Sequence, residues 1–125
     1  MDFNSNKAIY LQIAEYVCEH ILLEKWKQED KVPSVRDMAV KLEVNPNTVA
    51  RTYDLLQQKG ILANKRGVGF FLGADAVKQV KDYRKSIFIN EELPNVFRNI
   101  YLLDIGLEEL TQMYKSFVGE HFNNR

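Results

Sequence analysis

The sequence predicts a mainly α-helical chain that carries one small β-hairpin. Three observations lead there. Apolar residues recur every three to four positions over most of the 125 residues, the spacing of helices with one buried face. Two segments open on side chains suited to capping a helix, Ser34 and Asn45. After Gly60 the apolar period drops to about two, with glycines on either side, which marks a short hairpin.

The first helix is expected over 8–24. Ile9, Ile13, Val17 and Ile21 recur at four-residue intervals, and Tyr10, Ala14 and Cys18 widen the apolar face. Lys25 to Lys31 is polar apart from Trp26 and reads as a loop. Ser34 then caps a helix of about two turns, and Asp37 three residues on completes a capping-box-like Ser-x-x-Asp. Val35, Met38, Ala39 and Leu42 form its stripe. Glu43-Val44 starts a turn, Asn45 caps the next helix and Pro46 suits its first position, where no N–H is needed. That helix runs to Lys59, with Gly60 just past its end.

At about 100° per residue, Val49, Thr52, Tyr53 and Leu56 share one side of this third helix. Asn47, Arg51, Asp54 and Gln58 share the other, with Asn45 and Thr48 at its N-terminal end. Tyr53 belongs to the core by this periodicity, its hydroxyl being a second candidate for phosphate contact. Strands are expected at Ile61-Leu62-Ala63 and Phe70-Phe71-Leu72, around a basic tip from Asn64 to Gly69. Beyond Ala74 the pattern is helical again. Val77, Val80 and Ile87 give a thin stripe, and Pro94 interrupts it or opens a new helix capped by Asn90. Leu93, Val96, Phe97, Ile100 and Tyr101 form one further stripe. After Gly106, Leu107, Leu110, Met113, Tyr114, Phe117 and Val118 form another. The Asn123-Asn124-Arg125 end is polar.

Composition narrows the function. Lysine plus arginine number 17 and acidic residues 17, so the formal net charge is zero. Residues 1–73 hold 10 basic and 9 acidic side chains, so bulk charge does not point to nucleic acid. A case for DNA must rest on local arrangement. Cys18 stands alone, so no internal disulfide is expected. No apolar run reaches the ~18 residues of a membrane span, and the polar start lacks a signal-peptide core. A cytoplasmic location follows as an expectation. His20 and His121 lack metal-ligand spacing, and no Ser–His, Cys–His or phosphate-loop pattern is present. No metal, cofactor or enzymatic activity is expected.

Helix, short helix, turn, helix and hairpin is the order of a winged helix-turn-helix. Its chemistry suits DNA. A helix fits the major groove and its N-terminal residues reach base edges. Asparagine pairs with adenine and arginine with guanine. A hairpin tip with Lys65 and Arg66 suits the minor groove or phosphates, and Gly67 allows close backbone approach.

The chain also resembles the GntR family of bacterial transcription regulators, and within it the small YtrA-like subfamily. The matching residues are Tyr10-x-Gln12-Ile13-Ala14, Pro33-Ser34-Val35-Arg36-Asp37-Met38-Ala39, Val44-Asn45-Pro46-Asn47-Thr48-Val49-x-Arg51-x-Tyr53, Gly60-Ile61-Leu62 and Gly67-x-Gly69-x-Phe71. The resemblance implies DNA contact by Ser34 and Arg36, by Asn45, Asn47, Thr48 and Arg51, and by the wing around Arg66 and Gly67. It departs from the family at Glu29, where a glycine is usual, and at Pro46 and Ala50, where many relatives carry arginine. In the YtrA-like group a tail of this size serves dimerisation.

The residues themselves agree. A winged helix-turn-helix over 1–73 leaves 52 residues for a helical region over 74–125, too few to cover their own apolar stripes. Phe97, Ile100, Tyr101, Leu110, Met113, Tyr114 and Phe117 are the expected dimerisation surface. The predicted function is a dimeric regulator, acting as a repressor on a pseudo-palindromic operator in double-stranded DNA, with any small-molecule effector left open. The alternative is a winged-helix protein-interaction module without DNA binding, which the zero net charge favours.

Overall fold

The structure, a computed structural model, describes residue 3 and residues 6–122. The polar end at 123–125 and most of the polar start lie outside the described residues.

Helix α1 spans Ile9–Leu22. No side chain caps it, but Gln12 Nε2 donates to the Lys7 carbonyl at 2.7 Å and the Lys7 ammonium pairs with Glu15. Ile13, Ala14, Val17, Cys18 and Ile21 are buried as their spacing predicts, whereas Ile9, at the first turn, is exposed. Helix α2 spans Val35–Leu42 and helix α3 Pro46–Gln58. Both caps form as expected: Ser34 Oγ accepts from the Asp37 N–H at 3.0 Å, and Asn45 Oδ1 from the Asn47 N–H at 2.8 Å. Glu43 ends α2 in the left-handed region and turns the chain into α3.

Strands β1, Leu62–Lys65, and β2, Gly69–Leu72, pair antiparallel from Leu62↔Leu72 to Lys65↔Gly69. They run further towards the tip than the sequence suggests, while Ile61, expected to open the first strand, precedes it as a bend. Lys65 is on a strand, and the tip shrinks to Arg66, Gly67 and Val68, closed by the Val68 N–H on the Lys65 carbonyl at 2.8 Å. Gly67 supplies the left-handed φ of +79° this turn needs.

The stretch before Val32 is also more than a loop. Lys31 bridges Phe71 and the Val32 N–H donates to Phe70 at 2.8 Å, so the chain adds an edge to the hairpin. Gln28 Nε2 ties the same stretch to the Leu72 and Gly73 carbonyls at 3.2 and 2.9 Å. Trp26 packs at a tilt against His20, and His20 against Tyr16, at ring separations of 4.9 and 4.2 Å. Glu29, where the family pattern carries glycine, is not among the residues with positive φ, so this turn has no need of one.

The chain forms two compact units, Met1–Lys85 and Ser86–Arg125. The core of the first joins α1, Met38, Ala39 and Leu42 of α2, Val49, Tyr53 and Leu56 of α3, and Val32, Ile61, Leu62 and Leu72. Helix α4, Ala76–Ile87, adds Ala76 and Val80, so this unit continues past the hairpin end at Gly73.

In the second unit, Phe88–Glu92 form a π-helical turn, Leu93–Leu102 form helix α5 and Leu107–Phe122 form helix α6. Asn90 does not cap α5 as expected. It lies inside the π turn and its Nδ2 donates to Ser86 Oγ at 3.4 Å. The Leu93 N–H bonds five residues back, to Phe88. That wider spacing accommodates Pro94, whose ring and missing N–H disturb an ordinary turn. No residue of α5 or α6 is buried.

Candidate nucleic-acid interface

Helices α2 and α3 pack on each other and both open onto polar, exposed N-termini. The first backbone N–H groups of each helix lack helical partners and carry partial positive charge, Pro46 contributing none to α3. The caps satisfy one of these on each helix and consume acceptor oxygens. The Ser34 O–H and the Asn45 Nδ2 hydrogens remain as donors, which is what phosphate oxygens accept.

Arg36, Asn45, Asn47 and Arg51 are exposed, while Ser34 and Thr48 are half-buried. Arg36 forms no ion pair with Asp37 or Glu43; among the described residues the ion pairs are Lys7–Glu15 and Lys78–Asp82. The Arg51 guanidinium sits 3.8 Å from the centroid of the Tyr10 ring. Tyr10 itself is tied to α3, because Thr52 Oγ1 donates to its carbonyl at 2.7 Å and to that of Thr48 at 3.2 Å.

Tyr53 is fully buried. Its hydroxyl donates to the Pro33 carbonyl at 2.7 Å, and its ring meets Phe70 edge-on at 4.9 Å. The hydroxyl is therefore committed to the approach to α2. Burial, with Asp37 and Tyr16 adding to it, pushes its pKa up, so the phenol stays protonated.

On the wing, Lys65, Arg66 and Gly67 are all exposed. The Lys65 ammonium lies 4.3 Å from the Phe71 ring centroid. Lys31 crosses the hairpin at Gly69, where a Cβ would meet its side chain. It is thus a further cation at the wing that sequence reasoning passed over as loop. Tyr10 likewise reads as part of a core stripe by its spacing alone. Each partnership joins residues about forty positions apart, and short-range spacing carries no signal for it.

Among the described residues no group of His, Cys, Asp and Glu is arranged to hold a metal ion. Among the described residues no helix is long and apolar enough to cross a membrane.

A helix-turn-helix with donors at both helix starts, followed by a cationic hairpin, defines a winged helix-turn-helix regulator of the DNA-binding class. The pattern of the bacterial regulatory proteins of the gntR family matches residues 9–72. The chain belongs to the GntR family, on its YtrA-like branch. YhcF of Bacillus subtilis, named as an uncharacterized HTH-type transcriptional regulator, is 36% identical over 92% of this chain and 93% of its own length. The repressor YtrA of the same organism is 32% identical, covering 96% of this chain and 92% of YtrA. A solved GntR-family chain from Bacteroides thetaiotaomicron is 42% identical, with a TM-score of 0.70 over 90% of this chain and 98% of that one.

Proposed function

We propose that this chain represses transcription in the cytoplasm as a homodimer on a two-fold-related operator. The observation that carries the DNA-contact assignment is the exposed N-terminal face of α3, where Asn45, Asn47 and Arg51 present donors and no carboxylate among the described residues pairs with Arg51. Asn47 and Arg51 read base edges, adenine and guanine being their matched partners. Ser34, Arg36, Asn45 and Thr48 hold phosphates. Lys65 and Arg66 grip the neighbouring backbone, with Gly67 allowing the wing tip to come close. Zero net charge is compatible with this, because Arg36, Arg51, Lys65 and Arg66 are exposed at α2, α3 and the wing whatever charges stand elsewhere.

Dimerisation falls to 74–125, through Phe97, Ile100, Tyr101, Leu110, Met113, Tyr114 and Phe117. Exposures of 58% at Phe97, 81% at Tyr101 and 69% at Tyr114 support it, since large aromatic side chains left this open mark interaction surfaces when they adjoin. Two copies then place their reading helices about one DNA turn apart, ~34 Å. The repressor role is inferred from YtrA, a relative that is a transcriptional repressor.

The test uses a duplex selected by the wild-type chain from random-sequence DNA. Binding is measured by gel shift at several salt concentrations. Affinity falls steeply with salt, and Arg36→Ala and Arg51→Ala each weaken it at least tenfold. Unchanged binding in both variants removes the site assignment.

A further inference from the structure

Arg51 is an exposed side chain with four rotatable bonds, and an unsupported guanidinium of that kind samples many directions. Here the guanidinium carbon lies over the Tyr10 ring, 3.8 Å from its centroid. Tyr10 is in turn fixed to the helix that carries Arg51, through its carbonyl and the Thr52 hydroxyl at 2.7 Å. Thr52 is fully buried, so this link is shielded from water. The platform and the group it supports therefore belong to one rigid pair of helices.

We propose that Tyr10 is a positioning residue for DNA readout: its ring holds the Arg51 guanidinium flat, so that the N–H edge arrives at the DNA already aimed. Stacking occupies a face of the guanidinium and leaves its edge donors for a base or phosphate. Ordering before binding spares the rotamer entropy that a free arginine loses on contact. Lysine has no flat face for this platform, so it is no substitute at position 51. The inference rests on the reading that Arg51 touches DNA.

The test is a double-mutant cycle on the selected duplex. Tyr10→Leu keeps apolar bulk and removes the aromatic face; Tyr10→Phe keeps the face. Y10L weakens binding by about fivefold to tenfold, and Y10F stays within about twofold of wild type. In an Arg51→Ala background Y10L changes affinity by less than about twofold, because the group it positions is gone. The ratio of affinity for the selected duplex to affinity for a scrambled one falls in Y10L and holds in Y10F. Melting is recorded for every variant, and binding is measured well below the lowest transition. Any general loosening by Y10L then acts equally in both backgrounds and cancels in the cycle. An equal loss in both backgrounds overturns the proposal, and so does a Y10F as poor as Y10L. If R51A weakens binding while Y10L does not, the platform alone fails. If R51A leaves binding unchanged, the DNA role of Arg51 and the platform fail together.

Discussion

Tyr53 and Cys18 are two buried groups with different jobs. The Tyr53 hydroxyl satisfies the Pro33 carbonyl at 2.7 Å and so pins the chain one residue before the Ser34 cap. Tyr53→Phe leaves that carbonyl without its donor. It should cost about 1–2 kcal/mol in denaturant unfolding, while DNA affinity of the folded protein stays within about twofold. A loss of affinity without a loss of stability would mean that the hydroxyl serves a phosphate after all. Cys18 is a fully buried thiol whose pKa burial pushes up to about 12, with Arg84 opposing and Glu15 adding. The folded state therefore holds this proton more tightly than the unfolded chain, whose value is 9.0. The resulting stabilisation is complete below pH 9 and is lost as pH rises from there towards 12. Cys18→Ala should flatten the fall of the unfolding midpoint above pH 9. In the wild type, thiol alkylation at neutral pH should proceed at the rate of unfolding.

The elements most legible in the sequence were those set by near neighbours. Ser34 with Asp37, and Asn45 with Pro46 and Asn47, fix the starts of α2 and α3 through bonds spanning three residues or fewer. The apolar spacing of α1 and α3 likewise identified their buried faces, Ile9 apart. What stayed hidden depends on distant partners. Lys31 joins the hairpin only because Phe71 comes alongside, and Tyr10 meets Arg51 only when α1 packs on α3. Asn90 looked like a cap because it precedes a proline, yet a π turn absorbs Pro94 instead. The wing gives two tests at this scale. Gly73 is buried where the hairpin closes on the end of α3, its N–H bonded to the Ile61 carbonyl at 2.8 Å. A Cβ there would collide with the Gly60 carbonyl oxygen, and backbone yields little. Gly73→Ala should destabilise the fold by about 1–3 kcal/mol in chemical denaturation. Arg66→Ala, on an exposed tip, should leave stability unchanged. It should weaken binding to specific and scrambled duplexes alike and lower the slope of log affinity against log salt by about 1.

The whole molecule divides its labour by where its apolar side chains are spent. Among the described residues, every buried hydrophobic side chain lies between Ile13 and Val80, so the first unit carries its own stabilisation. In α5 and α6, Phe97, Tyr101, Leu107, Met113, Tyr114 and Phe117 remain exposed. Covering a side chain of this size is worth about 1.5–3 kcal/mol, which gives a second copy of the chain a driving force that the isolated second unit leaves unused. Charges introduced there should separate assembly from folding. Phe117→Glu combined with Tyr114→Glu should halve the mass read by light scattering, because a buried interface does not accept unpaired carboxylates. The melting of the first unit should hold, since no core residue is touched. DNA binding gives the sharper readout. A linked pair of reading helices binds its second half-site as an intramolecular event, at an effective concentration far above that of free protein. The double variant should therefore lose about a hundredfold in affinity for a duplex with two half-sites and almost nothing for a duplex with one. If the variant is monomeric and still binds the two-half-site duplex as tightly as the wild type, coupling through α5 and α6 is not how this protein reads DNA.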